Sequence, residues 1–164
     1  MTWWEPSYRA DPRGAAIADR HYNRQAIGSP QFVPPGACVV LRHADDALWV
    51  TSWPIAAYVQ HAWAGAWVNT TFRHESDRLA SELIREAIAH TLDVWPDPPP
   101  LGMVTMIDPR KVRHKRDPGR CYLRAGFHHA GWTKSGLRVL QLDPPDMPAP
   151  VQCGPRQLTL AVTP

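Results

Sequence analysis

The sequence has little cysteine, no long apolar run and no large surplus of charge of either sign. Its three cysteines, Cys38, Cys121 and Cys153, stand far apart without a Cys-x-x-Cys pair, and an odd number cannot complete a disulfide set. That argues against a disulfide-stapled scaffold and for a reducing cytosol. Nowhere do eighteen apolar residues run together, and the N-terminal Met-Thr-Trp-Trp-Glu-Pro lacks a basic region followed by an apolar core. Neither secretion nor membrane insertion is indicated, and a soluble intracellular protein is expected. No internal repeat is visible. Charged residues are 20% of the chain and the formal net charge is +3, so the molecule as a whole is no polyelectrolyte.

What charge there is gathers in one place. Arg110-Lys-Val-Arg-His-Lys-Arg116 holds the cations Arg110, Lys111, Arg113, Lys115 and Arg116 within seven residues. Such a run suits a polyanion, because each phosphate it neutralises releases counterions; it also suits a solvated loop that only aids solubility. At 164 residues the chain is long enough for one domain with a real core and too short for two ordinary ones. We expect a domain over residues 1–142 and a proline-rich tail over 143–164, lying over the body or disordered, with 158–162 able to form an edge strand.

The stretch from 65 to 92 changes period in its middle. Val68, Thr70 and Phe72 alternate with Trp67, Asn69 and Thr71, which predicts a strand. Leu79, Leu83, Ala87 and Thr91, flanked by Ile84, Ile88 and Leu92, then form a helical stripe, with Ser76 or Asp77 placed to cap its first turn. The charged turn between them, Arg73-His-Glu-Ser-Asp-Arg78, is a candidate site, since strand-to-helix turns bring backbone amides and a helix dipole together.

Elsewhere, residues 1–10 read as irregular. Asp11-Pro12 opens a helix expected to reach about Gln25, its end crowded with Asp19, Arg20, His21, Tyr22, Asn23, Arg24 and Gln25. Residues 38–41 and 47–53 form a hairpin, followed by a connector at 55–64 with room for a helical turn. Pro96-Asp-Pro-Pro-Pro100 stops the long helix, and 101–107 returns as an apolar strand ending at Asp108. Strand, helix and strand make a right-handed crossover and hence a parallel pair, which would set Asp108 beside the turn at 73–78. A short helix at 120–125, closed by Gly126, precedes two strands, 127–133 and 137–142.

This order of elements resembles the GNAT acyltransferase fold, and Tyr122, Gly126, Phe127 and Gly131 match its Tyr-x-x-x-Gly-Phe-x-x-x-Gly stretch. The resemblance covers about residues 12–142. It implies an α/β (α+β) domain with a mixed central sheet and helices on both faces, and Tyr122 as general acid toward a leaving CoA thiolate. GNAT enzymes carry a Gln/Arg-x-x-Gly-x-Gly/Ala turn that lets amides approach the CoA pyrophosphate. Here 73–78 has no glycine and two carboxylates, each costing on the order of 1 kcal/mol or more against a phosphate in a partly dry site. Acetyl-CoA is therefore a doubtful ligand. With His21-Tyr22-Asn23-Arg24 like a His-Tyr-Ser/Asn-Arg segment, the chain is similar to the phage Mom family, which adds a carbamoylmethyl group to adenine N6 and is linked to iron. That implies a DNA-modifying transferase in the cytoplasm of a bacterial host.

Modifying a base amine needs a base or metal, a cationic groove and access to an unstacked nucleotide. The catalytic candidates are His21, Tyr22, Glu75, Asp108 and Tyr122; His21, Glu75 and Asp108 are also the candidate ligands for iron. The candidate DNA contacts are Arg24, Arg73, Arg78, Arg110, Lys111, Arg113, Lys115 and Arg116. Trp49 and Trp53 share a strand face and suit either base stacking or, more ordinarily, the core. His74-Glu75 lacks the second histidine of a zincin motif, and His128-His129 in a strand point to opposite faces. Glu75 has a plainer role available, pairing with Arg24 or Arg73 to fix the turn. An acyl-CoA-dependent N-acyltransferase and a DNA-binding module without chemistry stay open as alternatives.

Overall fold

Among the described residues seven strands form one sheet in the order β1-β2-β3-β4-β5-β7-β6, and every neighbouring pair is antiparallel except β4 and β5. The computed structural model describes residues 2–112 and 117–154. The elements are β1 (Glu5–Pro6), α1 (Pro12–Ala18), β2 (Ala37–His43), β3 (Ala47–Trp53), β4 (Trp67–His74), α2 (Ala80–Val94), β5 (Met103–Ile107), α3 (Arg120–Arg124), β6 (His128–Trp132) and β7 (Arg138–Leu142). The expected crossover is present: β4, α2 and β5 in sequence give a parallel pair. Among the described residues no helix is long and apolar enough to cross a membrane.

The helices cover both faces of the sheet, as the alternation along β3 requires. On one face α2 lays Leu83, Ile84, Ala87, Ile88 and Leu92 against Trp49, Trp67, Met103 and Leu140. On the other, Ile17 and Ala18 of α1 pack with Phe32 on Val40, Leu48 and Val50. Trp49 is fully buried and Trp53 stacks edge-on to Trp67, so both tryptophans are core residues. Leu79, expected to open the buried stripe, is 60% exposed because the helix begins only after it.

Several local expectations give way to longer-range bonds. Residues 1–10 are not all irregular: Glu5–Pro6 pairs with β2, and Trp4 is buried, its indole N–H donating to the Leu83 carbonyl at 3.0 Å. α1 starts on the expected Asp11 cap but ends at Ala18, well short of Gln25. Its successor residue explains why: the Asp19 carboxylate accepts from Arg24 Nε at 2.9 Å and from the Gly28 amide at 3.1 Å, folding 19–28 back as a loop. Neither Ser76 nor Asp77 caps α2, whose N-cap is Leu79 without a side-chain bond; Ser76 instead accepts from the Arg78 amide.

The tail lies over the body as far as it is described. Val151 bonds through its amide to the Ala89 carbonyl, its own carbonyl meets His90 Nδ1 at 2.7 Å, and Cys153 donates to the Trp4 carbonyl. The possible strand at 158–162 falls outside the described residues. In α3, Gly119 holds φ 90°, where a Cβ would strike Ile107 and Leu140 at 2.5 and 2.6 Å; only glycine fits. Gly126 closes the helix at φ 107° as expected.

Candidate functional site: a cleft where two parallel strands part

β4 and β5 pair through Trp67↔Met103, Val68↔Val104 and Asn69↔Thr105, and then part. Beyond Asn69, β4 bends because it carries one extra residue. β3 pairs Thr51 with Asn69 but the adjacent Val50 with Thr71, so Thr70 is a β-bulge. The strict alternation expected of this strand therefore fails at Thr70. Phe72 moves to the face of Trp67 and Asn69, where its ring meets Trp49 at 5.6 Å and Tyr122 at 6.3 Å.

Asn69 holds the bulge together. Its Nδ2 donates to the Val50 carbonyl at 2.9 Å and to the Thr71 carbonyl at 3.1 Å, satisfying groups that the distorted ladder leaves behind. Its Oδ1 accepts from the Tyr122 hydroxyl. Thr105 Oγ1 lies 3.2 Å from the Asn69 carbonyl, closing the gap from the β5 side. The result is a cavity of about 240 Å³ floored by Asn69, Thr105 and Tyr122 and flanked by His21, Tyr22 and His74. At a water's share of about 30 Å³ that is roughly eight waters, enough for one heteroaromatic ring system or a short acyl group.

Tyr122 is buried, and burial pushes its phenol well above the usual value of 10. It stays protonated at any physiological pH. Burial also pushes the Tyr22 phenol up, against a hydrogen bond from the Asp108 backbone. His21 and Tyr22 stack loosely with ring centroids 4.6 Å apart, and Asn23 bonds both to His21 Nδ1 and, through Nδ2, to the Thr70 carbonyl at 3.2 Å. The loop after α1 is thus tied to the open edge of β4, and that tie brings His21 and Tyr22 into the cleft despite the shortened helix.

The charged turn belongs to a different environment. Glu75 takes two bonds from Arg20, at 2.9 and 3.1 Å, and one from Arg73 at 3.1 Å. These arginines, Arg20 first, hold its carboxyl below the ordinary value. The plainer role is thus met, with Arg73 a partner as expected and Arg20 the main one in place of Arg24. Asp108 has a different partner: it takes bonds from Arg110 Nε and the Arg110 amide at 2.9 and 3.0 Å, which lower its carboxyl.

Consequently His21, Glu75 and Asp108 are not gathered as a ligand set. Among the described residues no group of three or more His, Cys, Asp or Glu side chains is placed to hold a metal ion. Both carboxylates already neutralise arginines, so the trio expected for iron does not fit it, and no step is routed through a metal. In the glycine-free turn two amides are already engaged: the Glu75 amide donates to the Asp46 carbonyl and the Arg78 amide to Ser76.

The expected DNA contacts divide in the same way. Arg24 is turned inward, its side chain 10% exposed, bonding Asp19 and the carbonyls of Ser29 and Gln31. Arg78 grips Glu86 through two bonds of 2.8 and 2.7 Å and lies over the Trp3 ring. Arg110 and Lys111 are exposed, and Val112 of the same run lines the cleft, so the basic stretch starts at its rim. Arg113, Lys115 and Arg116 lie outside the described residues.

Asn69 and Thr105 were missed as site residues, although a signal existed. A buried asparagine inside β4 and a threonine in the otherwise apolar β5 have to find partners, and such buried polar groups are uncommon without a reason. No family model matches the chain, and no characterised protein or solved structure matches it either.

Proposed function

We propose that the chain is a GNAT-like transferase that modifies the exocyclic amine of adenine in DNA, as in the Mom family, with its chemistry in the cleft between β4 and β5. The observation that carries this reading is the joint placement of a buried, neutral Tyr122 on the cleft floor and the start of the basic run at its rim. A base small enough for the cavity enters it, while phosphates outside meet Arg110 and Lys111. As the amine nitrogen bonds to the transferred group and the donor's leaving group departs with the electron pair of the broken bond, one N–H proton must also leave, and His21, one of two imidazoles flanking the cleft, takes it. The ion-paired turn at 73–78 supports the shape of the rim without touching the base.

The Tyr122-Gly126-Phe127-Gly131 match favours a second reading, an acyl-CoA-dependent N-acyltransferase in which Tyr122 protonates the leaving thiolate. The occupied amides of the 73–78 turn weigh against it, and acetyl-CoA at large excess should leave the melting temperature unchanged; a clear rise would reverse the ranking. The DNA reading predicts a modified adenine in nucleoside mass spectrometry of genomic DNA from cells expressing the protein. Unmodified adenine in several hosts would refute it.

A further inference from the structure

The direction of each hydrogen bond on the cleft floor is fixed by groups that cannot reverse. The Val50 and Thr71 carbonyls only accept, so the Asn69 carboxamide must turn its Nδ2 to them and its Oδ1 away. That oxygen in turn can only accept, which commits the single proton of Tyr122 to it. Thr105 has one proton, directed either at the Asn69 carbonyl or at Tyr122, and both lie within the floor. Every donor on the floor points inward. What Tyr122 and Thr105 turn to the cleft is lone pairs.

The rim has the opposite polarity. Arg73, which lines the cleft, has a buried Nε with no hydrogen-bond partner, and Arg110 and Lys111 are exposed nearby in sequence to cleft-lining Val112. We infer that the floor is a hydrogen-bond acceptor surface that selects its ligand by an inserted N–H group, and that the ligand class is a nucleotide with its exocyclic amine inward and its phosphate at the rim. The nucleotide class rests on the DNA reading; the direction of the hydrogen bonds does not. Asn69 acts as a positioning residue, since its carboxamide oxygen takes the Tyr122 proton.

The test uses the full chain and fluorescence anisotropy with a single-stranded oligothymidylate carrying one central adenine, against the same strand carrying purine there, which lacks only the 6-amino group. The adenine strand should bind about two- to tenfold more tightly, the range of one neutral hydrogen bond. In Tyr122→Phe the ratio should fall to about one. Asn69→Ala, which releases the proton toward the cleft, should lower the ratio with Tyr122 still in place. Equal binding by the wild type, or a ratio that survives Tyr122→Phe, overturns the inference, and the wild-type comparison needs no variant to fold.

If neither strand binds, the DNA reading fails and the acceptor floor is judged on small probes alone. Aniline and fluorobenzene are similar in shape, and only aniline donates. Aniline should raise the melting temperature of the wild type more than fluorobenzene does, and not in Tyr122→Phe. Equal shifts, or no shift with aniline, would overturn the acceptor floor itself.

Discussion

Two polar clusters are built on β4 a few residues apart, one on Asn69 within the strand and one on Glu75 just past its end, and they follow opposite principles. The floor cluster, Asn69 with Tyr122 and Thr105, is buried and carries no charge. The corner cluster, Glu75 with Arg20 and Arg73, is charged, and each of its side chains is about a third or more exposed to solvent. Burial makes the first rigid and costly to disturb, because an abandoned partner cannot turn to water. Solvent makes the second forgiving, since exposed ion pairs contribute little and are screened by salt. The corner has the look of a catalytic site in the sequence; the floor is the buried, neutral cluster on which the proposed chemistry rests.

The sharpest way to break this contrast is Asn69→Ala. It strands the Tyr122 hydroxyl and removes a donor from two carbonyls at once, so we expect a loss of roughly 3 kcal/mol or more in urea unfolding. A loss below about 1 kcal/mol would mean that the bulge is held by something else. Tyr122→Phe leaves only Asn69 Oδ1 unpaired and should cost about 1–3 kcal/mol by the same measurement.

The two clusters should also fail at opposite ends of the pH scale. Tyr122 has its folded value raised above the ordinary 10. Its contribution is complete below pH 10 and is lost as pH rises, because the unfolded chain releases a proton that the folded one keeps. Stability should therefore fall above pH 10 with a part from this residue of about 1.4 kcal/mol per pH unit, and Tyr122→Phe should flatten the slope by that part. Glu75 has its folded value lowered from 4.5, so its contribution is present above pH 4.5 and is lost as pH falls through the lowered value. The smallest effect is expected for Glu75→Gln: under about 1 kcal/mol at neutral pH, shrinking further in high salt. A larger loss that salt does not touch would show the corner to be a structural cluster of the same kind as the floor.

Much of the frame was legible because it is written in local periods. The β3 and β4 runs, the α2 stripe, the proline stop at 96–100 and the Gly126 cap each depend on a few neighbouring residues, and the structure has them all. The parallel pairing of β4 and β5 followed from chain connectivity alone. What could not be read locally depends on partners distant in sequence. Asn69 fixes the bulge through Val50 and Tyr122, 19 and 53 residues away, and the bulge then moves Phe72 to the other face. Arg20 reaches Glu75 across 55 residues and pairs with it. Trp4 enters the core through Leu83, 79 residues on, from a segment with no periodicity to betray it. Tyr122, Tyr22 and His21 line the cleft, the latter two from a loop and not from the helix expected to carry them, while Glu75 and Asp108 are paired with arginines.

The claim that the floor and not the corner carries the chemistry is tested most directly by quantifying modified adenine in DNA from cells expressing the wild type, Tyr122→Phe and Glu75→Gln at equal protein levels. The account predicts a modified nucleoside in the wild type, at least about a tenfold loss in Tyr122→Phe, and a level close to wild type in Glu75→Gln. Modification that survives Tyr122→Phe and vanishes in Glu75→Gln would contradict it.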